Sequence, residues 1–333
     1  MKVEIIAELA QGFEGSPEQA RLLLKAAASA GANAAKFQLI YADELATPDY
    51  KYYGLFKSLE MPEKVWADLA EYAANLNIGL QVDIFGGNSL NTAEKISAAA
   101  VKIHGTDIAN VNLLNMVANS SVSRVLLGAG GAHLSELLRA LEILSEKDVV
   151  LLLGFQGYPT QIDANQVARI RLLSERITKI NSKVLIGFAD HAIAESPLSY
   201  ALAAVAIGAG ASVIEKHLTL GRVMKLEDHE SALNPDEFLE FTQIIRSSAE
   251  AFGVASYCEE FGMSQSECEY RKMIRRHVVA NRDLEAGLVV SHSDLTLKRT
   301  SSEEVLTNLL FAYNKTIKYG VQKNKPLSPA DIF

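Results

Sequence analysis

Short apolar, β-branched runs alternate along this chain with longer segments in which apolar positions recur at helical spacing. The runs predict strands over 3–10, 34–40, 79–84, 100–105, 124–129, 148–155, 183–190 and 212–219. The intervening segments predict helices over 16–30, 62–75, 91–97, 111–119, 134–144, 164–179 and 197–207, with one more at 235–252 after the last strand. Ser16-Pro17 and Asn234-Pro235 set a capping side chain ahead of a proline at the first helical position. G-A-N-A at 31–34 and G-A-G-A at 208–211 supply helix stops before a strand. Eight strand–helix pairs in about 250 residues predict an α/β chain whose main domain is a (β/α)8 TIM barrel. No G-x-G-x-x-G follows the first strand, which weakens a dinucleotide-binding reading.

The alternation stops near Gly253, where polar and acidic residues lead into strand-like and turn-like pieces. The expected organisation is a barrel over 1–255, a linker over 256–270 and a small β-rich domain over 271–333. Within that last domain G-L-V-V-S-H-S-D-L at 287–295 is echoed by N-K-P-L-S-P-A-D-I at 324–332, which suggests pseudo-repeated halves. Cys258 and Cys268 have no C-x-x-C and no local histidine, so reduced thiols are expected.

Composition narrows the chemistry. Across 333 residues, 49% of them hydrophobic, the chain can bury a large core, and its net charge of −8 disfavours the phosphate contacts of a nucleic-acid binder. The run 198–214 is the only membrane candidate, but Gly208 and Gly210 break it, so a helix, turn and strand are expected. Glu4 and Glu8 inside the first apolar stretch do not suit a signal peptide, and a cytoplasmic protein is expected.

In a barrel of this kind catalytic groups stand at the C-terminal ends of the strands, and every second residue of a strand shares a face. Glu8 ends the first strand, Lys36 and Gln38 share a face on the second, and Asp83 lies on the third. Lys102 and His104 share a face on the fourth, with Asp107 beyond it; Gln156 and Tyr158 follow the sixth. Asp190 and His191 close the seventh strand, and Glu215 and His217 lie on the eighth. Singly, each histidine reads as a hydrogen-bonded core residue and each charge as a rim or structural ion pair. Together, with two lysines inside buried strands that need a partner or ligand, they point to an active site for an anionic substrate beside a divalent metal.

The motifs carry a resemblance. I-A-E at 6–8, G-A-N-A-A-K-F-Q at 31–38, V-K-I at 101–103, Y-P-T at 158–160, D-H at 190–191, G-A-S-V-I-E-K-H-L-T-L at 210–220 and D-H-E-S-A-L at 228–233 follow in the order found in the N-acetylneuraminate (sialic acid) synthase family. That family includes bacterial spore-coat polysaccharide biosynthesis proteins. R-D-L-E-A-G at 282–287 and L-K-R at 297–299 resemble its C-terminal antifreeze-like (SAF) domain, so the resemblance spans the chain.

It implies a metal-dependent transferase that condenses phosphoenolpyruvate with an open-chain 2-acetamido sugar such as N-acetylmannosamine. The products are a nine-carbon 2-keto sugar acid, for surface polysaccharide, and phosphate. His191 and His217 are then the ligands of Mn2+ or Mg2+. Glu8 serves as general base for the attacking water, with Asp107 and Asp190 as further catalytic candidates. Lys36, Lys102 and Gln156 hold phosphoenolpyruvate, while Gln38, Tyr158, Asp228 and Arg299 hold the sugar. Arg299 belongs to the small domain that, in this family, covers the barrel of its partner, which implies a domain-swapped homodimer.

The chain departs from the family wording where phosphate is bound. F-S-T-P-F becomes Q-V-D-I-F at 81–85, which introduces Asp83; Gly105 and Ala189 stand for serines, G-A-G-G at 128–131 stands for S-T-G-M, and Gln156 for an asparagine. Fewer hydroxyl donors and an added carboxylate disfavour an anion. Two alternatives follow: a catalytically silent relative that binds a sugar or a partner, and a Schiff-base aldolase using Lys36 or Lys102.

Overall fold

The computed structural model describes residues 2–155, 157–177, 179–196, 198–253, 258 and 260–333. The chain divides into two compact units, Met1–Gly253 and Val254–Phe333.

The first unit is a closed barrel of eight parallel strands in sequence order, β1 (Glu4–Ala10), β2 (Ala34–Gln38), β3 (Gly79–Ile84), β4 (Ala100–Ile103), β5 (Arg124–Gly128), β6 (Asp148–Leu153), β7 (Leu185–Asp190) and β8 (Val213–His217). Closure comes from β1 pairing with β8, which sets Glu8 opposite His217. On its other side β1 pairs with β2 and sets Glu8 opposite Lys36.

The lumen is layered by strand alternation. Near the N-terminal end Glu4 pairs with Arg124 and accepts a hydrogen bond from Gln81. An apolar layer follows, made of Ile6, Ala34, Ala100, Leu126, Val150, Leu152 and Val213. Two residues further along their strands come Glu8, Lys36, Lys102 and Glu215, so one register delivers both the plug and the polar mouth above it. The opposite faces of the strands meet the helices. Phe37 of β2 packs edge-on against Phe13 and Trp66, with centroids 5.7 Å apart for Phe13–Phe37 and 6.0 Å for Phe37–Trp66.

Helix starts follow the sequence signals in part. Ser16 Oγ accepts from Gln19 N–H ahead of the helix Pro17–Ser29, and Asn234 N–H donates to Glu237 at the start of Pro235–Phe252. The expected stops are present as glycines in the left-handed region, Gly31 at φ +81 and Gly210 at φ +111. Three helices were not anticipated, Ala42–Leu45 and Tyr53–Leu59 in the first unit and Gln265–Ile274 in the second.

Two expected helices differ, and the expected helix, turn and strand of the glycine-broken run are present. The helix expected at 91–97 begins earlier, as Gly87–Lys95, because the distant Glu44 carboxylate accepts from the N–H groups of Asn88 and Ser89. The segment expected at 164–179 is a 3-10 turn (Ile162–Asn165) and a helix (Ala168–Ile177), separated by Gln166 at φ 45. The glycine-broken run is the helix Leu198–Gly208 followed by β8; the start expected at Pro197 lies outside the described residues. Among the described residues no helix is long and apolar enough to cross a membrane.

The second unit carries the helix Gln265–Ile274 and an antiparallel pair, β9 (His277–Ala280) with β10 (Leu295–Lys298). Its small core comprises Val278, Ala280, Leu284, Val290, Leu295 and Ile317 among others. The echoed sequences fold alike. Asp294 accepts from Ser291 N–H and Oγ at 2.8 and 2.7 Å, and Asp331 accepts from Ser328 N–H and Oγ at 2.7 Å each. Two S-x-x-D turns at matching positions are what the pseudo-repeat predicts.

Candidate active site

The C-terminal mouth of the barrel has two unlike sides. Strands β1 to β4 and β8 bring together five buried charged groups, while β4 to β7 bring glycines.

On the charged side Lys36 Nζ donates to Glu8 and to Asp83 Oδ1 at 2.5 Å, and lies 3.6 Å from Glu215 Oε2. Lys102 Nζ donates to Glu215 Oε1 at 2.7 Å and lies 3.7 Å from Glu8 Oε2. All five side chains are buried, at most 4% exposed. Two ammonium groups thus face three carboxyl groups.

The proton affinities follow from that crowding. Burial alone drives the Lys36 ammonium to give up its proton, but Asp83, Glu215 and Glu8 outweigh it and hold Lys36 well above the usual lysine range. Burial pushes Glu8 up to about 7, with Lys36 opposing and Glu215 and Asp83 reinforcing. Glu215 goes the other way: burial opposes ionisation, yet Lys102 and Lys36 outweigh it and hold the carboxyl below its ordinary range. An ammonium bonded to two carboxylates does not favour the amine nucleophile that the Schiff-base alternative needs at Lys36.

The two histidines sit beside this cluster at the ends of β7 and β8, ring centroids 5.3 Å apart. Burial, then Lys102, pushes His191 down to about 3; burial and His191 drive His217 well below the ordinary imidazole value. Both are neutral. His191 Nδ1 and His217 Nε2 are buried with no hydrogen-bond partner among the described residues. Two neutral imidazoles at this separation, each with a ring nitrogen left over, fit a divalent cation as a two-histidine site with its other positions open to water and substrate. No third His, Cys, Asp or Glu joins them in a metal-binding group among the described residues.

The histidine main chains are fixed from outside their strands. Thr160 N–H and Ser231 Oγ donate to the His191 carbonyl at 2.9 and 2.7 Å, and Leu233 N–H donates to the His217 carbonyl at 2.9 Å. Thr160 and Ser231 went unrecognised as positioning residues in the sequence, where Y-P-T and D-H-E-S-A-L showed only as motifs. Tyr158, preceding a cis proline, sets its ring edge-on to His191 and His217 at 5.3 and 5.8 Å. Asp228, at φ 58, places Oδ2 3.8 Å from His217 Nδ1, beyond hydrogen-bond reach. Burial, with Glu227 and Glu230 adding repulsion, pushes Asp228 up to about 7. Gln38 accepts from Gln11 Nε2 at 2.8 Å.

Of the remaining expected site residues, Asp190 and Asp107 are held by partners outside the cluster. Asp190 is the clearest correction. It alternates with Ala189, which pairs with Glu215 in the lumen register, and its Oδ1 is bound to Ala192 N–H at 2.9 Å and lies 3.3 Å from buried Lys216. Reading D-H as two active-site residues overlooked the strand period: adjacent residues face opposite ways, so Asp190 is a structural ion pair. Asp107 lies in the turn Gly105–Asp107, accepts from Asn110 Nδ2 at 3.4 Å, and is an electrostatic neighbour of His104. Gln156 lies outside the described residues. Arg299 is exposed just after β10 in the second unit.

The glycine side accounts for one of the lost hydroxyls, at Gly105. A Cβ at Gly105 would stand 2.7 Å from Gly130 O, at Gly130 2.0 Å from Gly154 O, and at Gly154 2.2 Å from Ala189 O. Backbones approach closely around this arc, so no side chain fits at Gly105, Gly130 or Gly154 without the neighbouring backbone moving. Glu215, by contrast, is a central group given no role from sequence, although E-K-H puts it on the face of His217.

Buried acids, bases and imidazoles converging on the C-terminal mouth of a closed (β/α)8 barrel define the enzyme class of this fold. Within it, the chain belongs to the NeuB family, whose model matches residues 23–257. An uncharacterized protein of Methanocaldococcus jannaschii is 29% identical over 94% of this chain and 90% of its own. The N,N'-diacetyllegionaminic acid synthase of Legionella pneumophila is 27% identical over 89% of this chain and 85% of its own. Among solved structures, the N-acetylneuraminic acid (sialic acid) synthetase of Leptospira borgpetersenii in complex with citrate matches with a TM-score of 0.72 and 28% identity, over 83% of this chain and 93% of that one.

Proposed function

We propose that this chain is a sialic-acid-synthase-like transferase that condenses phosphoenolpyruvate with an open-chain 2-acetamido sugar, giving a nine-carbon 2-keto sugar acid and phosphate. Membership of the NeuB family and the synthases among its relatives support the reaction class. The observation that carries it at the level of residues is the pair of neutral, buried imidazoles with unsatisfied nitrogens beside the Lys36–Lys102 cluster.

His191 and His217 would hold Mn2+ or Mg2+, which when bound supplies Lewis-acid polarisation of the sugar aldehyde. The enol carbon bonds to the aldehyde carbon, water adds at the carbon that carried the phosphate ester, and inorganic phosphate leaves. Glu8 takes the proton from that water; a pKa near 7 suits a group that must accept and release a proton at neutral pH. Tyr158, Gln38 and Asp228 line the sugar side, with the Tyr158 ring against the histidines as a wall. The same reading treats the second unit as an antifreeze-like (SAF) domain, the assembly as a domain-swapped homodimer in which Arg299 serves the sugar of a second copy, and the setting as cytoplasmic.

The test is phosphate release from phosphoenolpyruvate with a panel of 2-acetamido sugars and Mn2+, with and without EDTA. Release that depends on both sugar and metal is expected. No release with any sugar, while the protein demonstrably holds metal, sinks the proposal. One observation favours a second reading, a sugar-binding relative without donor chemistry: Lys36 is already bonded to Glu8 and Asp83. Calorimetry giving sugar binding with no phosphoenolpyruvate binding would select it.

A further inference from the structure

Lys36 is the most enclosed cation of the mouth, and its surroundings are anionic. Its ammonium donates to Glu8 and Asp83 and lies within 3.6 Å of Glu215. Lys102 is held by Glu215 at 2.7 Å. Of the three carboxylates, Glu8 and Glu215 are shared between the two lysines, whereas Asp83 contacts Lys36 alone. Strand register makes Asp83 a fixed part of this arrangement, since it is the β3 partner of both Gln38 on β2 and Lys102 on β4. Removing Asp83 leaves each lysine with two carboxylate neighbours.

A phosphate group that approaches Lys36 therefore meets a cation already occupied and three carboxylates around it. On the glycine side, the positions Gly105, Gly128, Gly130 and Gly154 can offer no side chain in compensation, because backbone atoms stand where a Cβ would be. We propose that Asp83 sets the affinity of this mouth for phosphoenolpyruvate: it acts as the built-in counter-anion of Lys36 and weakens, without abolishing, the hold on a phosphate dianion. The inference rests on the synthase reading for the identity of the anion, phosphoenolpyruvate, and on the geometry for the competition. Like charge at contact distance is costly, and removing it restores anion affinity at the cation it masked.

Calorimetric titration of the full chain with phosphoenolpyruvate, and separately with inorganic phosphate, tests this without reference to turnover. Wild type, Asp83→Asn, Asp83→Ser and the double variant Asp83→Ser/Lys36→Met are compared at one pH and ionic strength. Both single variants should bind each anion about tenfold or more tightly than wild type, the double variant should lose that gain, and added salt should shrink it. Asp83→Asn keeps the shape and one acceptor for Lys36, so it reports on charge even where Asp83→Ser perturbs folding. Affinities within twofold of wild type in the single variants overturn the proposal; so does a gain that survives Lys36→Met. Single variants that bind phosphoenolpyruvate tightly yet release no phosphate with any 2-acetamido sugar leave this inference standing and remove the synthase reading instead.

Discussion

At the scale of single residues Glu8 decides the pH behaviour. Its ordinary pKa of 4.5 rises to about 7 in the fold, so between those values the native state keeps a proton that the unfolded chain has lost. That contribution to stability is complete below 4.5 and is lost as pH rises through about 7. Thermal melts of wild type should accordingly show stability declining over this window relative to Glu8→Gln, and parallel curves would refute the assignment. In turnover the base form is the useful one. The proposed activity should rise through pH 7 in wild type, and Glu8→Gln should lose about a hundredfold or more and flatten the profile. Glu8 and Lys36 could be placed at the mouth from strand position alone, whereas Asp83 could be placed on its strand but not on a face of it. Their partners could not, because which carboxylate meets which ammonium depends on packing between β1, β2 and β3, residues separated by 28 and 47 positions.

Among the elements, the strands were the most legible. All eight came from short β-branched runs, since a parallel strand buried on both faces must be apolar apart from its functional end. Helix boundaries were less so, and the reasons are particular. Glu44 caps a helix more than forty residues away, and Gln166 breaks another with a left-handed backbone. Asp190 shows the cost of reading a motif without its period: the pair D-H supplies one lumen residue and one structural residue. The glycines of β4 to β6 are the converse. As sequence Gly105 and Gly128 looked like hydroxyls lost from a phosphate site, while in the barrel they permit backbone contact. Gly105→Ser should therefore fail to create a phosphate contact and should destabilise the protein by about 1–3 kcal/mol, because its Cβ meets the Gly130 carbonyl at 2.7 Å. Denaturant melts give the number; a neutral substitution would show that the arc can open.

For the molecule as a whole, the metal proposal has a consequence that does not depend on turnover. His191 and His217 are displayed by neighbouring strands, and their main chains are tied to Thr160 on one side and to Ser231 and Leu233 on the other. An ion held by both rings would therefore link the two loops to the barrel end, and it would bind only the folded chain, since the rings come together only there. Stabilisation then follows mass action, about 2.7 kcal/mol at a hundredfold excess over Kd, which for a chain of this size corresponds to a rise of roughly 4 °C in Tm. Mn2+ should produce such a rise, EDTA should reverse it, and His191→Ala should abolish it while the metal-free Tm stays close to that of wild type. An equal rise in His191→Ala would mean that the cation binds elsewhere, and the two rings would then be buried neutral histidines whose unsatisfied nitrogens serve the substrate directly.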